Sequence, residues 1–254
     1  MSTDQGTPPS KSAATTPDSV TPTRPPKGGP SPEAMDRVAV AALEQVKDGM
    51  RLGLGTGRAA EAFIRRLGES VAGGLRVRCV TTSIRSEKLA KSLNIDQATL
   101  DELPELDVAF DGADEVTPEL DLTKGLGGAL VRERVVAHAA KRFVVLVTPD
   151  KRVAQLGERT PIPIEVLPFA KAVVSRAIAE LGGQPTLRTD EEGEPFLSDN
   201  GNMILDTGFE PITEPRLLEA ALRAVPGVVD TGLFLGMADL VLVGGEQDVE
   251  RLTV

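Results

Sequence analysis

The sequence has one cysteine and one histidine, and it contains neither tryptophan nor tyrosine. A single cysteine cannot form an internal disulfide, and one cysteine with one histidine cannot build a Cys/His zinc site. Aromatic residues make up only 3% of the chain, so a surface on which nucleic-acid bases stack is not expected. Any chemistry must therefore rest on carboxylates, hydroxyls and lysines.

An excess of positive charge is also lacking. The chain carries 28 Lys and Arg against 38 Asp and Glu, a net charge of -10. Because this charge repels polyanions at long range, neither nucleic acid nor an anionic membrane is an expected partner. A small anionic ligand such as a sugar phosphate would need a local positive field, made of backbone amides and a few lysines or arginines.

Length and composition favour one large α/β unit with a smaller partner, since the 254 residues are 41% hydrophobic and 26% charged. Residues 1–32 hold eight of the 19 prolines, and we predict a disordered Pro/Ser/Thr-rich tail over residues 1–31. The sequence shows neither a signal-peptide pattern nor an apolar run of membrane-spanning length. We expect a cytoplasmic protein; an organelle transit peptide is the alternative, although Arg24 is the only arginine of the tail.

Hydrophobic periodicity predicts alternating helices and strands after the tail. Ser31 is expected to cap a first helix that has Pro32 at its first position and runs to about Lys47. The next segments are predicted as strand 50–54, helix 59–67, strand 76–81, helix 84–93, strand 107–111, helix 129–141 and strand 143–147. This alternation indicates an α/β fold with a parallel sheet and helices on both faces.

The pattern changes after Pro161 to that of a small α+β lobe. Helices are predicted near 170–181 and 214–224, with a strand at 202–206 between them. The apolar run 240–243 predicts a strand that returns to the main sheet. We therefore expect residues 32–160 and 235–254 to form an α/β domain into which the lobe, residues 161–234, is inserted.

A glycine-rich turn, residues 53–58, joins a predicted strand to a helix. Its glycines allow backbone amides and a helix N-terminus to approach an anion, and phosphate is the expected ligand. The spacing of these glycines differs from that of the dinucleotide-binding fingerprint. A turn with only a structural role remains the alternative interpretation. Hydroxyls at Thr81, Thr82, Ser83 and Ser86 either cap the following helix or contact the same ligand.

Acidic residues end the predicted strand 107–111, in the segment Asp111-Gly112-Ala113-Asp114-Glu115. The segment is either a solvated turn or a ligand site for which Gly112 and Ala113 leave room. A second glycine-rich turn, residues 124–129, begins with Lys124 and leads into a helix that carries Glu133. A lysine, backbone amides and carboxylates are thus predicted at one sheet edge. We expect no metal there, because hard cations usually recruit more oxygen ligands at another spacing.

Three isolated residues have ordinary interpretations. His138 stands among apolar residues of a predicted helix and is expected to be structural rather than catalytic. Cys79 lies within a predicted strand, which favours a buried thiol. Lys151 follows the strand 143–147 and is either a surface lysine or directed at the same sheet edge.

Taken in order, these motifs resemble ribose-5-phosphate isomerase A over about residues 33–250. The segments 163–166, 198–206 and 226–234 carry the resemblance through the lobe. It implies a ferredoxin-like lobe beside the α/β domain and interconversion of ribose 5-phosphate and ribulose 5-phosphate without a metal or cofactor. The pathway implied is the non-oxidative pentose phosphate pathway, and the assembly implied is a homodimer or homotetramer.

The resemblance also implies residue roles. Glu133 would move a proton between C2 and C1 through an enediolate, and Lys124 would stabilise the developing oxyanion. Asp111 and Asp114 would bind sugar hydroxyls and assist ring opening. The expected substrate-binding positions are Thr56, Gly57, Arg58, Ser83, Ser86, Gly112, Ala113, Gly125, Gly127 and Lys151.

The sequence departs from the family pattern at two places. The usual Thr-Gly-Ser-Thr reads Thr56-Gly57-Arg58-Ala59, which removes two hydroxyls and adds a guanidinium able to pair with phosphate. Leu126 interrupts the second glycine run, which weakens the expectation of a backbone contact to the sugar at that position.

Two other classes of function stay open. A sugar-phosphate sensor could share this fold, but the sequence has no helix-turn-helix pattern and its charge opposes DNA binding. The second class is another enzyme on this fold. An amino-sugar phosphate deaminase would call for a site histidine, and His138 is badly placed. An acyl-CoA transferase would call for a glutamate nucleophile motif that the sequence lacks. Binding without turnover would identify the sensor.

Overall fold

The computed structural model describes Met1 and residues 31–253, so the tail predicted over residues 1–31 lies almost wholly outside the described residues. Ser31 caps the first helix as predicted: its Oγ accepts a hydrogen bond from the Ala34 amide at 3.1 Å. The described residues form six α-helices: α1 (Pro32–Leu43), α2 (Arg58–Ala72), α3 (Ile84–Ser92), α4 (Leu130–Ala139), α5 (Lys171–Glu180) and α6 (Pro215–Arg223). The first helix therefore ends four residues before Lys47.

Fourteen strands accompany the helices in the described part of the chain. In chain order they are β1 (Arg51–Leu54), β2 (Arg78–Thr81), β3 (Asp96–Gln97), β4 (Val108–Gly112), β5 (Glu115–Val116), β6 (Leu122–Thr123), β7 (Phe143–Val147), β8 (Ile162–Val166), β9 (Gln184–Leu187), β10 (Met203–Gly208), β11 (Val228–Thr231), β12 (Leu233–Phe234), β13 (Leu240–Gly244) and β14 (Val249–Leu252).

Seven of these strands form the main sheet, in the order β14-β13-β7-β4-β1-β2-β3. All neighbours are parallel except β14, which pairs antiparallel with β13 at the edge. The predicted return of residues 240–243 is confirmed, since β13 lies beside β7. Chain order reverses between β1 and β4, and a crevice at the carboxyl ends of such strands is where open α/β sheets bind ligands.

Helices cover both faces of the main sheet, as predicted. On one face α1, α2 and α3 contribute Val38, Phe63 and Ala90 to a common core. On the other face α4 packs through Val136, with the small sheet β12-β6-β5 beside it. The helix approaches β1 so closely that a Cβ at Gly53 would lie 2.5 Å from Val136 Cγ1, which explains glycine at that strand position.

The inserted lobe contains a four-stranded antiparallel sheet, in the order β11-β8-β10-β9. With α5 after β8 and α6 after β10, the chain follows the β-α-β-β-α-β order of ferredoxin-like folds. Ile164, Val174, Leu205 and Leu222 form its separate core. In the described residues, no helix is both long enough and apolar enough to span a membrane.

Candidate active site

A cavity of about 290 Å³ opens at the carboxyl ends of β4 and β7, beside the start of α2. It lies where the strand order reverses, as expected for this topology. Its walls come from six parts of the chain, namely Met35, 56–59, 112–114, 124–127 with Glu133, 146–148 and Lys151. Two glycine-rich turns therefore face each other across one cavity.

Lys124 is the centre of a buried charge cluster on this wall. Its Nζ lies 3.0 Å from Asp111 Oδ2 and 3.4 Å from Glu133 Oε2, and it donates a 2.6 Å hydrogen bond to the Gly112 carbonyl. The Lys124 and Glu133 side chains are each 3% exposed. Because water is largely excluded, the attraction between these charges is stronger than it would be on the surface.

Backbone amides hold Asp111 in place behind Lys124. Its Oδ1 accepts hydrogen bonds from the Thr56 amide at 3.0 Å and from the Gly112 amide at 2.7 Å. A Cβ at Gly55 would lie 2.1 Å from the same oxygen. Glycine at position 55 is thus needed for the first glycine-rich turn to approach this carboxylate.

Burial changes the pKa values of the cluster. It raises the pKa of Glu133 to about 8, and the attraction of Lys124, which opposes this shift, only partly offsets it. Burial also raises the pKa of Asp111 against the pull of Lys124. For Lys124 itself, burial favours the neutral amine, but the carboxylates of Asp111, Glu133 and Asp114 outweigh it and raise the pKa. A permanent cation therefore sits beside a carboxyl group that titrates near neutrality.

Glu133 lies one turn inside α4, where its amide donates to the Ala129 carbonyl at 2.9 Å. Its Oε2 is buried and accepts no hydrogen bond from any described residue. The Lys124 ammonium, 3.4 Å from this oxygen, leaves it incompletely satisfied, and such a buried carboxylate on a cavity wall points to a chemical role.

Asp114 also lines the cavity, and the second glycine-rich turn holds it. Its Oδ2 accepts a 3.0 Å hydrogen bond from the Leu126 amide. Burial raises the pKa of Asp114, while the Leu126 amide, Lys124, Lys151 and Arg188 act in the opposite direction. The Leu126 amide is thus bound to a protein carboxylate.

The hydroxyl residues Thr82, Ser83 and Ser86 cluster around Thr56 and do not line the cavity themselves. Thr56 Oγ1 donates to Ser83 Oγ at 2.8 Å and lies 2.7 Å from Thr82 Oγ1. Ser86 is fully buried and donates to the Gly55 carbonyl at 2.6 Å. Ser83 caps α3 by accepting the Ser86 amide. Ser83 and Ser86 therefore support the first turn from behind, and Thr56 faces the cavity.

The start of α2 provides the positive end of the cavity. Gly57 is its N-cap residue with φ +104°, and within the described residues no side chain caps the helix. The first backbone amides of α2 are thus free for an anion. Arg58 and Lys151 line the same cavity, and neither forms an ion pair with another described residue.

All but three of the predicted site residues line this one cavity. Asp111, Ser83 and Ser86 lie directly behind its wall. His138 is exposed near the end of α4, away from the cavity. Cys79 is fully buried in β2, and burial raises its thiol pKa to about 12. Among the described residues, no group of three or more His, Cys, Asp and Glu has an arrangement able to hold a metal ion.

The sequence did not single out several residues that the structure brings to the site. Met35, Leu146, Val147 and Thr148 line the cavity. They lacked a recognisable motif, because α1 precedes the glycine-rich turns and β7 reads as an ordinary apolar strand. Arg188 of the lobe was missed as well; its guanidinium donates to the carbonyls of the second glycine-rich turn.

Known proteins resemble this chain over most of its length. The family model of ribose 5-phosphate isomerase A (phosphoriboisomerase A) matches residues 78–248. Ribose-5-phosphate isomerase A of Roseiflexus castenholzii is 49% identical over 218 residues, covering 85% of this chain and 93% of that protein. The protein of the same name from Thermomicrobium roseum is 48% identical over 220 residues, covering 86% and 93%.

Solved structures agree with the sequence comparison. Ribose 5-phosphate isomerase A from Methanocaldococcus jannaschii superimposes with a TM-score of 0.83 at 44% identity, covering 87% of this chain and 98% of that chain. A D-ribose-5-phosphate isomerase in complex with phospho-erythronic acid gives a TM-score of 0.85 at 37% identity, with the same coverage.

Proposed function

The chain belongs to the ribose-5-phosphate isomerase A family and interconverts ribose 5-phosphate and ribulose 5-phosphate, and we propose that Glu133 is the base of this reaction. One observation carries the proposal. The Glu133 carboxyl group is buried at the cavity wall 3.4 Å from the Lys124 ammonium, and its pKa is raised to about 8. A base is most effective when its pKa lies near the working pH.

The reaction then needs only proton transfers. In the open-chain aldose, the Glu133 carboxylate takes the proton from C2, the C2 electron pair forms a C1=C2 double bond, and the carbonyl electrons move to O1. The Lys124 ammonium stabilises the oxyanion at O1. Glu133 returns the proton to C1 while O2 loses its proton and becomes the ketone oxygen, and O1 gains a proton. No atom or electron is gained or lost overall.

The other carboxylates have supporting roles in this proposal. Asp114 faces the cavity and binds sugar hydroxyls, and it assists the opening of the cyclic sugar by accepting a hydroxyl proton. Asp111 acts from behind Lys124, which it pairs with at 3.0 Å. It thereby keeps the ammonium between the reacting oxygen and Glu133. Gly112, Ala113, Gly125 and Gly127 provide space and backbone groups along the sugar.

The phosphate group binds at the other end of the cavity, at the start of α2. Thr56, Gly57 and the free amides of the first helical turn offer donors there. Arg58 and Lys151 add two positive charges, and Arg58 supplies a planar pair of donors in place of the two missing hydroxyls. Ser83 and Ser86 hold Thr56 in place from behind.

At the level of the whole chain, we propose the division into an α/β domain, residues 32–160 and 235–254, and a lobe, residues 161–234. We propose a homodimer or homotetramer in the cytoplasm, where phosphorylated sugars are retained by their charge. The exposed apolar side chains Leu167, Phe169 and Val173 on the lobe support association between copies. Analytical ultracentrifugation should give a multiple of the chain mass, and a monomer at micromolar concentration would contradict this assembly.

Isotopic labelling tests the proton route. With ribose 5-phosphate deuterated at C2, we expect slower turnover than with the unlabelled sugar, because a C2 proton transfer contributes to the rate. Part of the deuterium should appear at C1 of the product and part in water, since the Glu133 carboxyl group exchanges its proton with solvent. Deuterium lost to water would identify a proton transfer, because a hydride that moves from C2 to C1 does not exchange with solvent. Equal turnover of the labelled and unlabelled sugars would contradict a C2 proton transfer that contributes to the rate.

A further inference from the structure

Arg188 connects the inserted lobe to the second glycine-rich turn. It directly follows β9, at the edge of the lobe sheet, and its side chain is only 13% exposed. Its Nη1 donates to the Gly125 carbonyl at 3.1 Å and to the Leu126 carbonyl at 3.2 Å. One side chain from the lobe thus binds two successive carbonyls of the turn that carries Lys124.

The guanidinium is itself held rigidly. Its Nε donates to Asp206 Oδ2 at 2.8 Å, and its Nη2 donates to Asp206 Oδ1. The guanidinium carbon, Cζ, lies 5.7 Å from the centre of the Phe196 ring. Four of its five N–H groups are used, and a bidentate carboxylate contact fixes the orientation of the plane. Arg188 can therefore fix the position of the turn.

The turn fits closely against the lobe. A Cβ at Gly128 would lie 2.6 Å from Phe196 Cζ, and Gly125 and Gly128 have φ of +103° and +83°. Between these glycines, the Leu126 amide donates to Asp114, and Lys124 precedes them. The lobe thus contacts this turn within one or two peptide units of Lys124 and of the amide that binds Asp114.

We propose that Arg188 is a positioning residue for the isomerisation, and that it acts by holding the Gly125–Leu126 carbonyls so that the Leu126 amide stays on Asp114 and Lys124 stays beside Glu133. The inference rests on the roles proposed above for Lys124 and Asp114. Arg188 lies behind the turn and is not part of the cavity wall, so its effect reaches the sugar through the turn. Arg188 makes no hydrogen bond to residues 56–59 at the start of α2, where phosphate binding is proposed, so we expect that binding to remain.

The variant Arg188→Met tests the proposal. We expect kcat to fall by about 10- to 100-fold with KM changed less than threefold, because small misplacements of catalytic groups cost rate while phosphate contacts remain. Arg188→Lys should lose most of the same rate, since an ammonium keeps the charge but cannot bind Asp206 and two carbonyls together. Wild-type kcat in either variant would overturn the proposal.

Arg51→Met is the matched control. Arg51 also donates through Nε and Nη2 to one carboxylate, that of Asp107, but at the amino ends of β1 and β4. Its loss should lower the melting temperature and leave kcat and KM unchanged. If Arg51→Met reduces kcat as much as Arg188→Met at matched stability, the effect of Arg188 is only structural.

A double-mutant cycle tests the route through Asp114. When Asp114 is already replaced in Asp114→Asn, Arg188→Met should reduce kcat by much less than in the wild type, because the two residues act in one chain of contacts. Equal losses in both backgrounds would overturn this route. Wild-type turnover in Asp114→Asn alone would instead refute the role proposed for Asp114, and with it the route.

Discussion

At the scale of single residues, we expect the burial of Glu133, the proposed base, to set how turnover depends on pH. A protonated carboxyl group cannot accept the C2 proton, and the pKa of Glu133 is raised to about 8. We therefore expect kcat/KM to rise with pH, by about tenfold per unit well below pH 8, and to level above it. An ordinary glutamate would be fully ionised from about pH 6 upward.

The pH profile of kcat/KM is the measurement for this prediction. The second ionisation of a phosphate group falls near pH 6, so a rise between about pH 7 and 8.5 is diagnostic for the enzyme. A flat profile across that interval would show that burial does not raise the pKa of Glu133 enough to matter.

Arg58 stands where the family's usual Thr-Gly-Ser-Thr turn has a hydroxyl, and we propose that it binds the phosphate. Because a guanidinium–phosphate contact binds ground state and transition state alike, Arg58→Ala should raise KM about tenfold or more and change kcat little. Arg65→Ala provides a control on the same helix, since Arg65 is exposed in α2 and does not line the cavity. An unchanged KM in Arg58→Ala would place the guanidinium outside the phosphate site.

At the scale of elements, the first turn of α2 is expected to bind phosphate through its backbone. Gly57 has φ +104°, and a Cβ there would meet no atom within 4 Å. Gly57→Ala therefore introduces backbone strain of about 1–3 kcal/mol without a steric clash. It should lower the melting temperature and raise KM, because the amides at the start of α2 shift.

Gly74→Ala separates these two effects. Gly74 has nearly the same φ, +106°, and equally open surroundings, but it follows the end of α2 and does not line the cavity. It should lose similar stability and keep the wild-type KM. An equal rise of KM in both variants would assign the effect to general destabilisation rather than to the phosphate turn.

Elements with a strong hydrophobic period were predictable, and their ends were not. Helix α2 was predicted over 59–67 but continues to Ala72, because Gly68 does not end it. A Cβ at Gly68 would lie 2.8 Å from Leu93 Cβ, so this glycine allows close packing against the residue after α3. Strand β9 was missed because it is an edge strand interrupted by Pro185, and such strands show little alternation.

At the scale of the molecule, the candidate site was predictable where its residues stand in turns that follow strands. The turns that follow β1 and β4 made Thr56 and Asp114 predictable, because parallel strands bring their carboxyl ends to one edge of the sheet. Arg188 gave no such signal. It belongs to the inserted lobe, and its contact with the second glycine-rich turn arises only when the lobe packs on the α/β domain.

The single thiol reports on the integrity of the whole molecule. Cys79 is fully buried in the main sheet, and burial raises its pKa to about 12. Because alkylation needs an accessible thiolate, iodoacetamide should modify the native protein only at the rate of unfolding, and rapidly in denaturant. Modification of the native protein as fast as that of the denatured chain would contradict the buried position.

We propose that a buried glutamate beside a buried lysine moves the proton, and the variant Glu133→Gln removes this carboxylate with little change of shape. We expect the chelator-treated wild type to convert ribose 5-phosphate to ribulose 5-phosphate, and Glu133→Gln to lose turnover while still binding ribose 5-phosphate. Glu219→Gln, a change of a partly buried glutamate in α6 whose pKa burial also raises, should keep full activity. A Glu133→Gln variant that retains most of the wild-type turnover would show that Glu133 is not the base.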